Sequence, residues 1–386
     1  MIDPDQLAER YRANHARLVA ARDRLQAVVD AGTATDDDRR RLDTVSELLT
    51  PVTVTVDADG KVIEVQRPRQ FLEVDPEGQG RAVEVLGDLE QAENIAVLVP
   101  GMGNSLDTFR GQSDRGELIR QEAGPHTAAV VWLDYDSPQG IVAAAGKQAA
   151  VDGGPRLATF LTELDHLKAP DAKTTLIGHS YGTDVVGQAL LAGGRADRVV
   201  LTGSPGITKY VDEAADFVPT PTRLYVERAS GDYVAYTEWH GPDPATFPDA
   251  IRMATNDPLA NDEAVSVHWH NEYYRPNSEA LRNIGRVVRG DLSAITTTNT
   301  TRPTETELAL GTSWGGPLNA LATTASKVYD GLMSLAKPPP PSRSQPPAAG
   351  SASGASEASA RVAGERDVTA RTSGGTRSRQ SEGPRR

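Results

Sequence analysis

The chain has 386 residues, 38% of them apolar, with only 10 Tyr, 5 Phe and 4 Trp, a formal net charge of −13 and no cysteine. That length fits one large or two modest domains, and the missing cysteines exclude a disulfide scaffold, a cysteine nucleophile and a zinc–thiolate site. The acidic balance argues against a general nucleic-acid binder, no apolar run nears the roughly 20 residues that span a bilayer, and Met1-Ile2-Asp3-Pro4-Asp5 lacks the basic and apolar regions of a signal peptide, so a soluble cytoplasmic protein is expected, with a non-standard export route left open.

Residues 1–50 predict a helical hairpin. Leu7, Tyr11, Leu18 and Leu25 share one helix face, Ala31-Gly32-Thr33-Ala34 interrupts it, and Thr35 with Asp38 three residues on forms a capping-box start for a second helix carrying Val45, Leu48 and Leu49. Packing of this hairpin on the body is favoured over contact with a protein partner. From Pro51 the period changes to two: Val52-Thr53-Val54-Thr55-Val56, then Asp59-Gly60, then Val62-Ile63-Glu64-Val65 read as a β-hairpin with a two-residue turn. Phe71-Leu72-Glu73-Val74 adds a strand.

The body alternates apolar runs with helical stretches. Strands are expected at Ile95-Ala96-Val97-Leu98-Val99, at Ala128-Ala129-Val130-Val131-Trp132-Leu133, and over 174–177, 198–201 and 223–227, with one helix over 143–166. Uniformly apolar strands between helices imply a mostly parallel sheet covered on both faces. A Thr-rich linker over 296–306 leads to an amphipathic helix marked by Leu318, Leu321, Ala325, Val328, Leu332 and Leu335, anchored by Trp314-Gly315-Gly316. The last 50 residues contain no aromatic residue, and nine Lys or Arg stand there against four Asp or Glu. Such a segment cannot bury enough apolar surface to offset its ordering entropy and is expected to be disordered. The expected organisation is therefore a hairpin (1–50), a main domain with its leading β-hairpin (51–294), a linker and helix (295–336) and a tail (337–386).

Chemistry concentrates at Gly178-His179-Ser180-Tyr181-Gly182. This G-x-S-x-G lies straight after a strand and straight before a helix. A sharp strand-to-helix turn needs small residues at Gly178 and Gly182, leaves Ser180 projecting at its tip, and sets the serine at a helix N-terminus that favours developing negative charge. A serine nucleophile needs a base, and the base an orienting acid, in the order Ser, acid, His. Asp232, in Ala229-Ser230-Gly231-Asp232-Tyr233 after the strand over 223–227, is the expected acid, with Asp243 and Asp257 as alternatives. His240 follows Asp232 too closely to be the last member. In an extended segment His268 and His270 would share one face, so periodicity does not choose between them. An oxyanion hole needs two backbone N–H donors: one is expected from Tyr181 and the other from Met102, in Val99-Pro100-Gly101-Met102-Gly103-Asn104-Ser105. No metal or organic cofactor is called for.

Together these residues resemble the α/β-hydrolase superfamily, and more narrowly an actinobacterial α/β-hydrolase family long catalogued as a domain of unknown function. The matching stretches include Asp75-Pro76-Glu77-Gly78-Gln79-Gly80-Arg81-Ala82, Gly87-Asp88-Leu89, Trp132-Leu133-Asp134-Tyr135-Asp136, Gly203-Ser204-Pro205-Gly206 and Asn271-Glu272-Tyr273. The resemblance covers residues 70–290 or so and implies an α/β-hydrolase fold. It also places His270, followed by Asn271-Glu272-Tyr273, at the family's presumed catalytic histidine, leaving His268 as the alternative base. The implied activity is that of a serine hydrolase, esterase- or lipase-like, cleaving a small-molecule or lipid-like ester through Ser180, His270 and Asp232 and an acyl-enzyme. Thioester hydrolysis or acyl transfer by the same residues is an alternative, as is a catalytically idle binding module acting through its helical flanks. Residues 206–221, with Tyr210, Phe217 and Val218, are read either as a lid over an acyl pocket or as a structural excursion.

Overall fold

The computed structural model describes residues 4–58, 61–209, 211–217, 223–229, 232, 234–255 and 267–298. The Asp59-Gly60 turn, Asp257, the helix from Leu318 to Leu335 with its Trp314 anchor, the tail from Lys337 and most of the Thr-rich linker lie outside the described residues.

Helices α1 (Pro4–Asp30) and α2 (Asp36–Leu48) form the N-terminal hairpin. The capping box is present: Asp38 N–H donates to Thr35 Oγ1 at 3.1 Å, and Thr35 N–H donates to an Asp38 carboxylate oxygen at 2.8 Å. Leu7, Leu18 and Ala21 of α1 and Val45 and Leu48 of α2 are buried in the same core as Phe71 and Leu72. Asn14 Nδ2 donates to the Phe71 carbonyl at 2.8 Å, which covers the edge of the sheet described next. The hairpin thus packs on the body. Strands β1 (Val52–Ala58) and β2 (Lys61–Arg67) pair antiparallel with Ala58 opposite Lys61, the register of a two-residue connection.

Eight further strands form one sheet. In chain order they are β3 (Gln70–Asp75), β4 (Arg81–Leu86), β5 (Asn94–Val99), β6 (Thr127–Leu133), β7 (Lys173–His179), β8 (Arg198–Thr202), β9 (Arg223–Glu227) and β10 (Ile251–Arg252). The spatial order is β10-β9-β8-β7-β5-β6-β4-β3. β3 and β4 pair antiparallel with their neighbours and the rest run parallel. Strand β5 shows why its run is apolar throughout. Ala96 and Leu98 point to one face and pack with Ile119 of α3 (Phe109–Ala123) and Ile284 and Val287 of α7 (Glu279–Arg289). Ile95, Val97 and Val99 point to the other, with Leu157 and Leu161 of α5 (Gln148–Leu167) and Val185 and Val186 of α6 (Gly182–Leu191). Side chains alternate across a strand, so a strand covered on both faces must be apolar at every position.

The helix expected over 143–166 is instead split into α4 (Ile141–Ala144) and α5, and the cause is Tyr181. Its phenol accepts from Ala150 N–H at 3.1 Å and donates to the Gly146 carbonyl at 2.9 Å, the very pair an unbroken helix would join. Within 206–221, Ile207, Val211, Ala214 and Phe217 are buried in the main core, whereas Tyr210 and Val218 lie outside the described residues. No helix among the described residues is long and apolar enough to cross a membrane.

Candidate active site

In a mostly parallel sheet, a cleft opens at the carboxyl ends of the strands where the strand order reverses direction. Here that point lies between β5 and β7, and it is where Ser180 sits. Ser180 joins β7 to α6 with φ 55°, a left-handed conformation that non-glycine residues rarely hold. Its N–H donates to the Thr202 carbonyl at 3.0 Å, and its carbonyl accepts from Thr183 N–H at 2.9 Å. A Cβ on Gly182 would stand 2.3 Å from the Val99 carbonyl oxygen, and one on Gly101 would stand 2.7 Å from Ser180 Cβ. Both positions must be glycine for the turn and the loop after β5 to approach this closely. Gly178 lies within β7, one residue from its end.

Asp232 and His270 meet beside this turn. His270 Nδ1 lies 2.9 Å from each carboxylate oxygen of Asp232, so its N–H donates to the carboxylate. Asp232 is fully buried. Its Oδ1 accepts from the N–H groups of Val234 at 3.0 Å and Ala235 at 3.3 Å, and its Oδ2 accepts from the Tyr273 hydroxyl at 2.7 Å. His270 Nε2 is buried and has no hydrogen-bond partner among the described residues. Asp243 does not compete for the role, because it forms a buried ion pair with Arg228. The segment Val267–Tyr274 is wound in tight helical turns and not extended, so the shared-face argument for His268 and His270 does not apply. The His268 side chain lies outside the described residues.

Two further side chains hold the histidine. Tyr273 accepts from Ala229 N–H at 3.0 Å while donating to Asp232, which ties the acid loop to the histidine segment. His179 Nε2 lies 2.7 Å from the His270 carbonyl oxygen. Only an N–H can bond there, so Nε2 carries the proton. Burial above all, then the charges of Arg115 and His270, holds the His179 imidazole far below its usual range and therefore neutral. Tyr273 and His179 both stand in motifs visible in the sequence, but spacing does not reveal that their polar atoms reach 41 and 91 residues along the chain.

The loop after β5 is pinned from below. The Pro100 carbonyl accepts from the Tyr135 hydroxyl at 2.6 Å, and the Gly101 carbonyl accepts from Ser137 Oγ at 2.9 Å and Asn104 Nδ2 at 2.8 Å. Gln112 Nε2 in turn holds Asn104 Oδ1 at 2.7 Å. A trans peptide sets the Met102 N–H opposite the Gly101 carbonyl, away from this network. Neither the Met102 nor the Tyr181 N–H donates to a protein acceptor among the described residues.

On the other side of Tyr181 lies a second buried acid and imidazole. His240 stacks edge-on to the Tyr181 ring at 4.9 Å, its Nδ1 is 3.5 Å from Asp184 Oδ2, and Lys147 Nζ donates to its carbonyl. Asp184 Oδ1 accepts from Thr208 N–H at 3.2 Å. Burial pushes the Asp184 carboxyl from its ordinary 3.8 up to about 6, with Lys147 opposing. It also drives His240 down to about 3, with Lys147 adding to the fall. A carboxyl with a raised folded-state pKa stabilises the fold below its unfolded pKa and loses that contribution as pH rises through the folded value. Asp184→Asn keeps an acceptor for Thr208 and cannot ionise. Between pH 4 and 7.5 the variant should therefore gain on the wild type by up to about 3 kcal/mol, read from urea midpoints at both pH values. A stability gap that does not change with pH would mean that Asp184 does not titrate in this range.

Among the described residues no group of three His, Asp or Glu is arranged to hold a metal ion. A sequence profile of the alpha/beta hydrolase family matches residues 75–241, which span Ser180, Asp232 and the loop after β5. The uncharacterized protein Rv2079 of Mycobacterium tuberculosis is 30% identical over 254 residues, covering 56% of this chain and 38% of that protein. The uncharacterized protein Rv0963c of the same organism is 30% identical over 192 residues, covering 45% of this chain and 71% of that protein. The chain thus spans about two fifths of the length of the first of these relatives. Among solved structures, a carboxylesterase from Mesorhizobium loti aligns with 14% identity and a TM-score of 0.34, over 57% of this chain and 98% of that one. This chain belongs to the alpha/beta hydrolase family.

Proposed function

We propose that the protein is a serine hydrolase that cleaves a carboxylic ester through an acyl-enzyme, with Ser180 as nucleophile, His270 as general base and Asp232 as its orienting acid. The observation that carries the reading is the contact of His270 Nδ1 with both oxygens of Asp232 at 2.9 Å, which leaves Nε2 unprotonated and, among the described residues, without a hydrogen-bond partner. Ser180 Oγ adds to the ester carbonyl as Nε2 takes its proton. The backbone N–H groups of Met102 and Tyr181 receive the oxyanion. The imidazolium, stabilised by Asp232, returns the proton to the departing alcohol oxygen as the C–O bond breaks. Water repeats the cycle on the acyl-enzyme, giving a carboxylic acid and free Ser180. An ester is favoured over an amide because an alkoxide leaves with less help from protonation.

Labelling with a fluorophosphonate probe, followed by mass-spectrometric location of the modified peptide, tests this directly. Ser180 should carry the label, and heat-unfolded protein should carry none. Replacing each histidine separettes their roles: His270→Ala should slow labelling and ester turnover by roughly 10²–10⁴-fold, and His268→Ala by far less. Equal effects would remove His270 from the role of base, and a folded protein without label would remove Ser180 from that of nucleophile.

A further inference from the structure

Helix α3 carries three arginines that the structure treats differently. Arg110 lies 3.1 Å from Asp114, and Arg120 lies 2.7 Å from Glu117, each an ion pair within the helix. Arg115 has no carboxylate within ion-pair distance among the described residues, although residues 1–336 carry 49 Asp or Glu against 31 Lys or Arg. Its guanidinium turns onto the histidine segment. Nη2 donates to Asn271 Oδ1 at 3.0 Å, and the group lies over the Tyr274 ring, 5.3 Å from the centroid. Asn271 directly follows His270, and the Tyr274 ring stands edge-on to His179 at 5.6 Å. Glu272, whose charge is felt at Arg115, is paired with Arg275 at 3.8 Å. Burial lowers the Arg115 pKa, with Tyr274 and Glu272 opposing, so its charge is only partly offset from within the protein. A guanidinium offers five donors in a planar fork suited to an oxyanion, and among the described residues one of them is used, on Asn271.

We propose that Arg115 is a substrate-binding residue that receives a carboxylate or phosphate on the leaving-group portion of the ester, so that the substrates of this site are anionic esters. The inference rests on the hydrolase reading above. It assigns the anion to the leaving group because Arg115 bonds Asn271, the residue directly after the histidine that reprotonates the departing alcohol. The competing role for Arg115 is purely positional: a clamp on Asn271 and Tyr274 that would act on every ester alike.

Three acetate esters separate these roles: phenyl acetate, 4-acetoxybenzoate and 4-acetoxyphenyl phosphate. The readout is the ratio of kcat/KM for each anionic ester to that for phenyl acetate, compared between wild type and Arg115→Gln so that intrinsic reactivity cancels. The ratio should fall roughly tenfold to a hundredfold in Arg115→Gln, mainly through KM, and Arg115→Lys should restore part of it. Preference for the phosphate or for the carboxylate identifies which oxyanion the site takes. An equal loss on all three esters overturns the proposal in favour of the clamp. Calorimetric binding of 4-hydroxybenzoate against phenol in the Ser180→Ala background keeps the test independent of turnover. Charge-selective binding that Arg115→Gln removes supports the anion site even where no ester is cleaved, a result that would overturn only the hydrolase reading. Binding without charge selectivity overturns the anion site itself.

Discussion

Ser180→Ala should abolish ester turnover, a loss on the order of 10⁶ in kcat, while the protein stays folded. The two halves of that expectation have separate causes. Catalysis is lost because no other group at the C-terminal edge of β7 can form the acyl-enzyme: His179 is neutral and its Nε2 proton is committed to the His270 carbonyl, and Tyr181 is fixed between Gly146 and Ala150. Stability is kept because Ser180 Oγ makes no hydrogen bond among the described residues, while the turn is held by the backbone bonds to Thr202 and Thr183. Alanine meets the same backbone strain at φ 55° as serine does, so the substitution adds none. Thermal unfolding within a degree or two of wild type, together with turnover at the uncatalysed rate, is the expected pair of results. Residual turnover near the wild-type level would rule out Ser180 as nucleophile.

What could be read from the chain follows the range of the interactions. Strand β5 was legible because its burial on two faces is written in every residue from Ile95 to Val99, and the turn at Ser180 because two glycines frame it four residues apart. Thr35 and Asp38 likewise announce α2 through a contact spanning three residues. The break between α4 and α5 was not legible, because the group that opens it is the hydroxyl of Tyr181, 31 residues beyond the N–H it captures. Strand β4 was not read as a strand, although residues 81–86 fall within the 70–290 span of the family resemblance. It holds a buried Glu84 paired with Arg69 at 2.7 Å, and a charged residue inside an apolar run conceals a strand from any reading by hydropathy. Asp184 and His240 were equally hidden: one reads as a helix residue and the other as a loop residue, and only the fold sets them 3.5 Å apart.

Asp232→Asn should cost roughly 10⁴-fold in kcat without unfolding the protein. Oδ1 accepts two backbone N–H groups, from Val234 and Ala235, so the amide oxygen of asparagine must take that side. The amide nitrogen then occupies the Oδ2 position. There it meets the Tyr273 hydroxyl, which donates to Oδ2 in the wild type and is already an acceptor for Ala229 N–H. It also meets His270 Nδ1, 2.9 Å from Oδ2 in the wild type. The amide N–H loses its facing donor when Nδ1 gives up its proton and accepts from it, a change opposed only by the 2.9 Å contact of Nδ1 with the oxygen at the Oδ1 position. The proton then sits on Nε2, the nitrogen that must be bare to take the proton of Ser180. Raising the pH does not repair this, because the fault is the tautomer and not the charge, so activity should stay low across the alkaline range. Tyr273→Phe supplies the internal control. It leaves the amide nitrogen facing Nδ1, because Val234 and Ala235 N–H set that orientation, but the Tyr273–Oδ2 bond is lost in either variant and is counted once in the pair, so Asp232→Asn should cost less in a Tyr273→Phe background than alone. Losses that simply add, measured as kcat over pH 6–10, would mean that Tyr273 does not act through Asp232.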